Sequence, residues 1–296
     1  MDRLIGGIEI GGTKTVVLVA RGRAIVAQRR VPTTTPAATL AACNAALSEW
    51  SALHGPVAAL GIGSFGPLDI AAGRITDTPK PGWSGTKVVE PFARLDVPLA
   101  FDTDVAAAAL AEHRWGAARG TRVSAYITIG TGIGAGLIVD GNPVHGLVHP
   151  EIGHVRVTSS DGFAGNCPFH GNCLEGLASG PAIAARTGSA AHLLPTGHAI
   201  WTMIANEIGE MIAMLLLTLS PQRIVIGGGI GAGQPQLLPI IRDRVAIQLN
   251  SYVAPITRAA LDGIVVSPGL GDLSGPLGAV ALGNRAASPG SRTIND

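Results

Sequence analysis

Four residues in one short stretch have the types and spacing of a metal site. Cys167, His170 and Cys173 form Cys-x2-His-x2-Cys, and His154 lies thirteen residues upstream of Cys167. Soft thiolates with imidazole at such close spacing suit tetrahedral Zn2+. Four N/S ligands leave no position for water, so the predicted site is structural and a zinc hydrolase is disfavoured. A disulfide or free loop thiols are the alternatives. Cys43, the remaining cysteine, stands alone in a predicted helix.

A second chemistry is carried by glycine. Gly11-Gly12-Thr13-Lys14, Gly130-Thr131-Gly132 and Gly227-Gly228-Gly229 each follow an apolar strand-like run. Without a Cβ in the way, backbone N–H groups in such turns can close on phosphate oxygens, and Thr13 and Lys14 add a hydroxyl and a cation. The order of a P-loop is absent, because Lys14 follows Thr13 and not a glycine. The GIGSFG run at Gly61–Gly66 matches GxGxxG, but Pro67 follows it and no helix opens there, which argues against dinucleotide binding.

The third group is carboxylates. Asp104, in FDTDVAAAALAE, is read either as a helix N-cap or as a group facing a cleft, and Asp102 is its neighbour and rival. Glu151 and His154 in PEIGH, and Glu175 in CLEGLASGP, sit beside the metal stretch in a chain poor in charge. Carboxylates accept hydrogen bonds from vicinal hydroxyls, so a sugar is one explanation for them.

The elements that must hold these residues are predicted as strands over residues 4–10, 15–20 and 24–30, a helix over 36–53 and a strand over 57–63. A helix over 105–115 follows the Pro- and Gly-punctuated loop after Pro79. Strands over 122–129 and 134–139 then repeat the opening device. EIGGTKTVVLV and TIGTGIGAGLIV share a strand, a turn of Gly and Thr, and a strand, which reads as one design used in two related domains. A single glycine hairpin would be unremarkable; its recurrence is what carries weight. Residues 147–181 have little periodicity and read as a long irregular segment needing a staple. Beyond it come an apolar-faced helix over 199–219, a strand over 223–226, a helix over 234–249, a strand over 264–266 and an Ala-rich C-terminal helix. The predicted division is 1–117 as a small lobe completed by helix 274–286, 118–273 as a large lobe with the metal loop, and 287–296 as a frayed tail.

Composition limits the partners. With 21 Lys+Arg against 20 Asp+Glu and 14% charged residues among 296, a basic nucleic-acid surface is not expected. Apolar residues make up 47% but aromatics only 4%, with 41 glycines, so an α/β core of small aliphatics is expected. The longest apolar run, residues 211–219, is shorter than a bilayer span, and the N-terminus has no signal-like apolar stretch. No membrane association and a cytoplasmic, reducing location are therefore expected.

Taken together, EIGGTKT, TDVAAAALAE, TIGTGIGAG, PEIGH, the Cys/His loop, CLEGLASGP and IVIGGG resemble, in order and through most of the chain, the ROK family of sugar kinases. The resemblance implies a two-lobed actin-like ATPase (ribonuclease H-like) α/β fold with nucleotide and sugar in the interlobe cleft. GIEIGGTK, with Glu9 where Asp is more usual, and CPFHGNC, with a histidine where glucokinase-like members carry cysteine, are similar to the fructokinase branch. The activity implied by this resemblance is ATP-dependent phosphorylation of D-fructose to D-fructose 6-phosphate, with glucose, mannose or an N-acetylhexosamine as the alternative substrate. Asp104 becomes the general base, Glu151, His154, Glu175 and Thr103 the sugar contacts, and His154, Cys167, His170 and Cys173 the ligands of structural Zn2+. The hairpin residues Gly11, Gly12, Thr13, Lys14, Thr131 and Gly132 become phosphate clamps for ATP with Mg2+, flanked by Pro181 and Gly227–Gly229. In this picture zinc shapes the sugar pocket and does not touch the phosphate. Thr103 departs from the pattern, since many members carry Asn there. A homodimer is implied. A sugar-sensing repressor of the same family would need a basic helix-turn-helix ahead of the first strand, which begins by Leu4.

Overall fold

The computed structural model describes residues 3–288; positions 289–296 of the tail expected to fray lie outside that range. The chain divides into two compact units. Unit 1 comprises Met1–Trp115, Pro143–His149 and Leu273–Asp296, and unit 2 comprises Gly116–Asn142 and Pro150–Asp272.

Unit 1 opens with strands β1 (Leu4–Ile10), β2 (Lys14–Arg21) and β3 (Ala24–Pro32), followed by helix α1 (Pro36–His54). Thr35 caps α1 by accepting from Ala38 N, and Pro36 stands at its first turn, where a missing N–H costs nothing. Strands β4 (Ala59–Ser64), β5 (Leu68–Asp69), β6 (Arg74–Ile75) and β7 (Leu99–Thr103) precede helix α2 (Asp104–Trp115). The main sheet has the order β3-β2-β1-β4-β7. β1 runs antiparallel to β2 and parallel to β4, and β4 runs parallel to β7.

Unit 2 repeats that order. Its strands are β8 (Val123–Ile129), β9 (Ile133–Val139), β10 (Asn142–Pro143), β11 (Arg223–Gly227) and β12 (Val265–Val266), arranged β10-β9-β8-β11-β12. Again the first pair is antiparallel and the next two pairings are parallel. Helices α3 (Leu174–Ala178), α4 (Gly180–Thr187), α5 (Ile200–Thr218), α6 (Gly228–Gly231), α7 (Leu237–Leu249) and α8 (Arg258–Ile264) belong to this unit. Residues 147–181 are therefore less irregular than their composition suggests. They hold a 3-10 turn at Ile152–His154, all of α3 and the start of α4.

By length and composition α5 could cross a bilayer, yet 67% of that window is buried inside the unit. Its Glu207 is fully buried and paired with Arg186 at 2.9 Å, as fits a core helix.

The last helix, α9 (Ser274–Ala286), returns to unit 1 and packs on α2, β4 and β1. Its small residues let backbones meet: a Cβ at Gly61 of β4 would collide with Ala279 O, and one at Gly278 with the backbone of Ala107 in α2. Gly61 thus serves helix packing, and the GxGxxG spacing has a structural cause. The segment Pro143–His149, which the sequence division leaves in the large lobe, belongs by its contacts to unit 1.

Candidate active site

In unit 1 the parallel register of β1, β4 and β7 aligns Ile10, Ser64 and Thr103 in one row. The residues that follow them, the Gly11–Lys14 turn and Asp104, therefore emerge at the same carboxyl edge of the sheet. Two strand spacings separate them, about 10 Å. Ligands of open α/β sheets bind at such edges. The turn is closed by Gly11 N donating to Lys14 O at 3.0 Å, and Gly12, Thr13 and Lys14 are exposed.

Asp104 is the first residue of α2, and the residue that caps the helix is Thr103, whose Oγ1 accepts from Ala106 N at 3.1 Å. Asp104 Oδ1 accepts from Val105 N at 2.9 Å and the side chain is half-buried. Of the two readings of Asp104, the N-cap is thereby taken by its neighbour. The rival, Asp102, is buried and its oxygens are engaged by Thr103 N at 2.7 Å and His145 Nε2 at 2.8 Å.

Glu9, on β1 just before the turn, lies over the first turn of α9, where Gly275 leaves the space its carboxylate fills. Burial pushes its pKa up to about 7, against the pull of Lys14 and Arg30.

Unit 2 gathers the remaining candidates at the corresponding edge. β8 and β11 are in register with Thr128 beside Gly227, so the Gly130–Gly132 turn and Gly227–Gly229 leave the sheet side by side. Gly180 N donates to Gly130 O at 2.8 Å, which sets the start of α4, with Pro181 in its first turn, against the same turn. Thr131, Gly132, Pro181 and Gly227–Gly229 are thus brought together.

The metal candidates also converge. One ligand atom from each of His154, Cys167, His170 and Cys173 lies within 4.8 Å of the others. His154 Nδ1 is 3.8 Å from Cys167 Sγ and 3.5 Å from Cys173 Sγ, and His170 Nδ1 is 3.6 Å from Cys167 Sγ. Zn–S bonds of about 2.3 Å and Zn–N bonds of about 2.0 Å meeting tetrahedrally give edges of about 3.5 Å, so the donor set and its spacing fit a zinc-like ion. Arg156 braces the loop by donating to His170 O at 2.6 Å. Cys43 is remote from this cluster: it is buried and its thiol is pushed up to about 12 by burial.

One connection was not visible in the sequence. Cys173 caps α3 by accepting from Gly176 N, and Glu175, in the first turn of α3, accepts from Ile133 N at 2.9 Å through Oε2. A Cβ at Gly153 would collide with Ile133 O, so the PEIGH turn rests on the same point. Both chain segments that supply the candidate metal ligands therefore buttress the second glycine turn. Glu151 is exposed at the head of the Ile152–His154 turn, with its carbonyl accepting from His154 N at 3.0 Å.

Two sheets of one strand order, each ending in a glycine turn at the carboxyl edge of its parallel strands, define an actin-like ATPase fold of the sugar-kinase class. A ROK family model matches residues 5–286, and the chain belongs to the ROK family. It is 42% identical to the fructokinase of Zymomonas mobilis, covering 95% of this chain and 96% of that one. With the fructokinase of Pediococcus pentosaceus it shares 40% identity over 96% and 98% of the two chains. The crystal structure of a ROK family glucokinase from Streptomyces griseus, in complex with glucose and AMPPNP, superposes with a TM-score of 0.76 at 26% identity, over 95% of this chain and 99% of that one.

Proposed function

We propose that this chain is an ATP-dependent hexose kinase that converts D-fructose to D-fructose 6-phosphate. The observation that carries the chemistry is the register that brings Asp104 to the edge where the Gly11–Lys14 turn emerges. Fructose as the sugar is supported by the two fructokinases at 40–42% identity over nearly whole chains.

In this reading Asp104 accepts the proton of the sugar hydroxyl as that oxygen bonds to the γ-phosphorus of ATP. The bond from the γ-phosphorus to its bridging oxygen breaks, and ADP carries the electron pair away. Backbone N–H groups of the Gly11–Thr13 and Thr131–Gly132 turns, with Lys14, hold the phosphates, while Pro181 and Gly227–Gly229 flank the nucleotide. Glu151, His154 and Thr103 orient the other hydroxyls. Glu175 does so through Oε1, since Oε2 already accepts from Ile133 N. Thr103 keeps an O–H to donate while its oxygen accepts from Ala106 N. His154 would bind metal through Nδ1, the nitrogen that faces both sulfurs, and present Nε2 to the sugar. When bound, Mg2+ supplies charge neutralisation at the phosphates and Zn2+ a fixed node joining His154, Cys167, His170 and Cys173. Three free cysteines support a reducing cytoplasmic location, and the family resemblance supports a homodimer.

The test is Asp104→Asn, which is nearly isosteric. Turnover is expected to fall by about 10²- to 10⁴-fold with the melting temperature unchanged. Wild-type turnover in the folded variant would remove Asp104 from the role of base.

A further inference from the structure

The pair formed by Asp102 and His145 has no part in the reaction as described, yet it is built into the site. Asp102 is 5% exposed, and both of its oxygens are engaged. Oδ2 accepts from His145 Nε2 at 2.8 Å and Oδ1 from Thr103 N at 2.7 Å. Thr103 in turn accepts from Ala106 N at 3.1 Å, and Asp104 accepts from Val105 N at 2.9 Å. Hydrogen bonds thus lead from His145 through Asp102 to Thr103, the residue that caps α2 and directly precedes Asp104.

His145 lies in Pro143–His149, which belongs to unit 1 although its chain neighbours on both sides belong to unit 2. A second histidine of this strap is also fastened to unit 1, for His149 Nε2 accepts from Leu68 N at 2.9 Å. The strap is therefore fastened by two imidazoles, of which the one at His145 ends on the carboxylate of Asp102.

We infer that His145 is a positioning residue for phosphoryl transfer, fixing Asp102 and through it the β7–α2 turn that aims Asp104 at the sugar hydroxyl. The inference rests on the reading of Asp104 as the base. A carboxylate beside a reacting group is useful only when held, since a misplacement of about 1 Å can cost about 10²-fold in rate.

The charged groups facing His145 are Asp102, from the end of β7, and Arg285, from α9, and a backbone hydrogen bond at Val144 adds to them. The hydrogen bond to Asp102 holds the imidazole above its ordinary pKa against burial and Arg285. Asp102 also interacts electrostatically with Arg285, whose pKa burial lowers and Asp102 raises. The ionic part of the His145–Asp102 interaction is complete below the ordinary histidine pKa and fades as pH rises through the raised value. Above that, a neutral ring with its proton on Nε2 still donates to Asp102.

Two substitutions separate positioning from general structure. Gln in place of His145 can extend an N–H to Asp102, whereas Asn is polar but too short to reach it. His145→Asn is expected to lower kcat by about 10-fold or more with KM for ATP within about two-fold of wild type, and His145→Gln to recover kcat to within about three-fold. By proton NMR, His145 of the full-length protein should titrate above the ordinary histidine range and return to it in Asp102→Asn. Wild-type kcat in His145→Asn, equal losses in both variants, or an ordinary titration of His145 in the wild-type protein would each overturn the inference. Wild-type turnover in Asp104→Asn would instead overturn the base assignment on which it rests.

Discussion

Asp102 and Asp104 are two residues apart and have the same side chain, yet their surroundings give them different work. Asp102 is buried, with one oxygen on a backbone N–H and the other on an imidazole, so both oxygens are already engaged within the protein. Asp104, half-buried at the start of α2, is the one of the two proposed to serve as base. Residue types alone left the two as rivals and only the family resemblance pointed to Asp104; the group that engages Asp102, His145, lies in a Gly- and Pro-containing stretch forty-three residues away. Glu9 has a different consequence at this scale. Its pKa of about 7 in the folded protein exceeds the ordinary value of 4.5, so the native state holds a proton that the unfolded chain releases between those pH values. Stability therefore declines as pH rises through that window. Glu9→Gln, which does not titrate, should gain on wild type above pH 7 by up to about 3 kcal/mol and by little at pH 4.5. Thermal melts at both pH values, without nucleotide or divalent ion, test this; an equal difference at the two would show that burial does not penalise the Glu9 carboxylate.

At the scale of elements, most strands and long helices were legible because their periodicity is strong. Two that matter most were not. β7, Leu99–Thr103, is a five-residue buried strand whose LAFDT sequence has no alternation, and it lies just beyond Pro98, in what composition marks as loop. α3 is five residues long and capped by the thiol of Cys173, a residue outside the usual capping set. Both elements set the site, the one by delivering Asp104 and the other by carrying Glu175 to Ile133 N. The Cys/His cluster was legible from spacing, since a close N/S group is a local pattern, while the contact of Glu175 spans forty-two residues. If a zinc ion joins the four ligands, Cys167→Ser should bind well under one zinc per chain and expose the Ile133 amide to faster hydrogen exchange. Undiminished zinc in that variant would remove Cys167 from the ligand set.

For the whole molecule, the repeated order β3-β2-β1-β4-β7 and β10-β9-β8-β11-β12 gives a physical reason for the recurrence seen in EIGGTKTVVLV and TIGTGIGAGLIV. Each unit places a glycine turn after its central strand, beside the ends of parallel neighbours. The wealth of glycine and alanine likewise has more than one source, because α9 needs small residues to lie against β4 and α2, apart from any role in phosphate binding. A net charge of only +1, from 21 basic and 20 acidic residues, is compatible with the proposal that backbone N–H groups and Lys14 answer phosphate charge. A homodimer would give twice 29.9 kDa by light scattering, and a monomer mass at micromolar concentration would refute it. The decisive assay is ADP release by the wild-type protein with ATP, Mg2+ and, in turn, fructose, glucose, mannose and N-acetylglucosamine. Fructose should give the highest kcat/KM of the four. Fructose as the poorest acceptor would contradict the assignment of the sugar, and no sugar-dependent ADP with any of them would contradict the kinase itself.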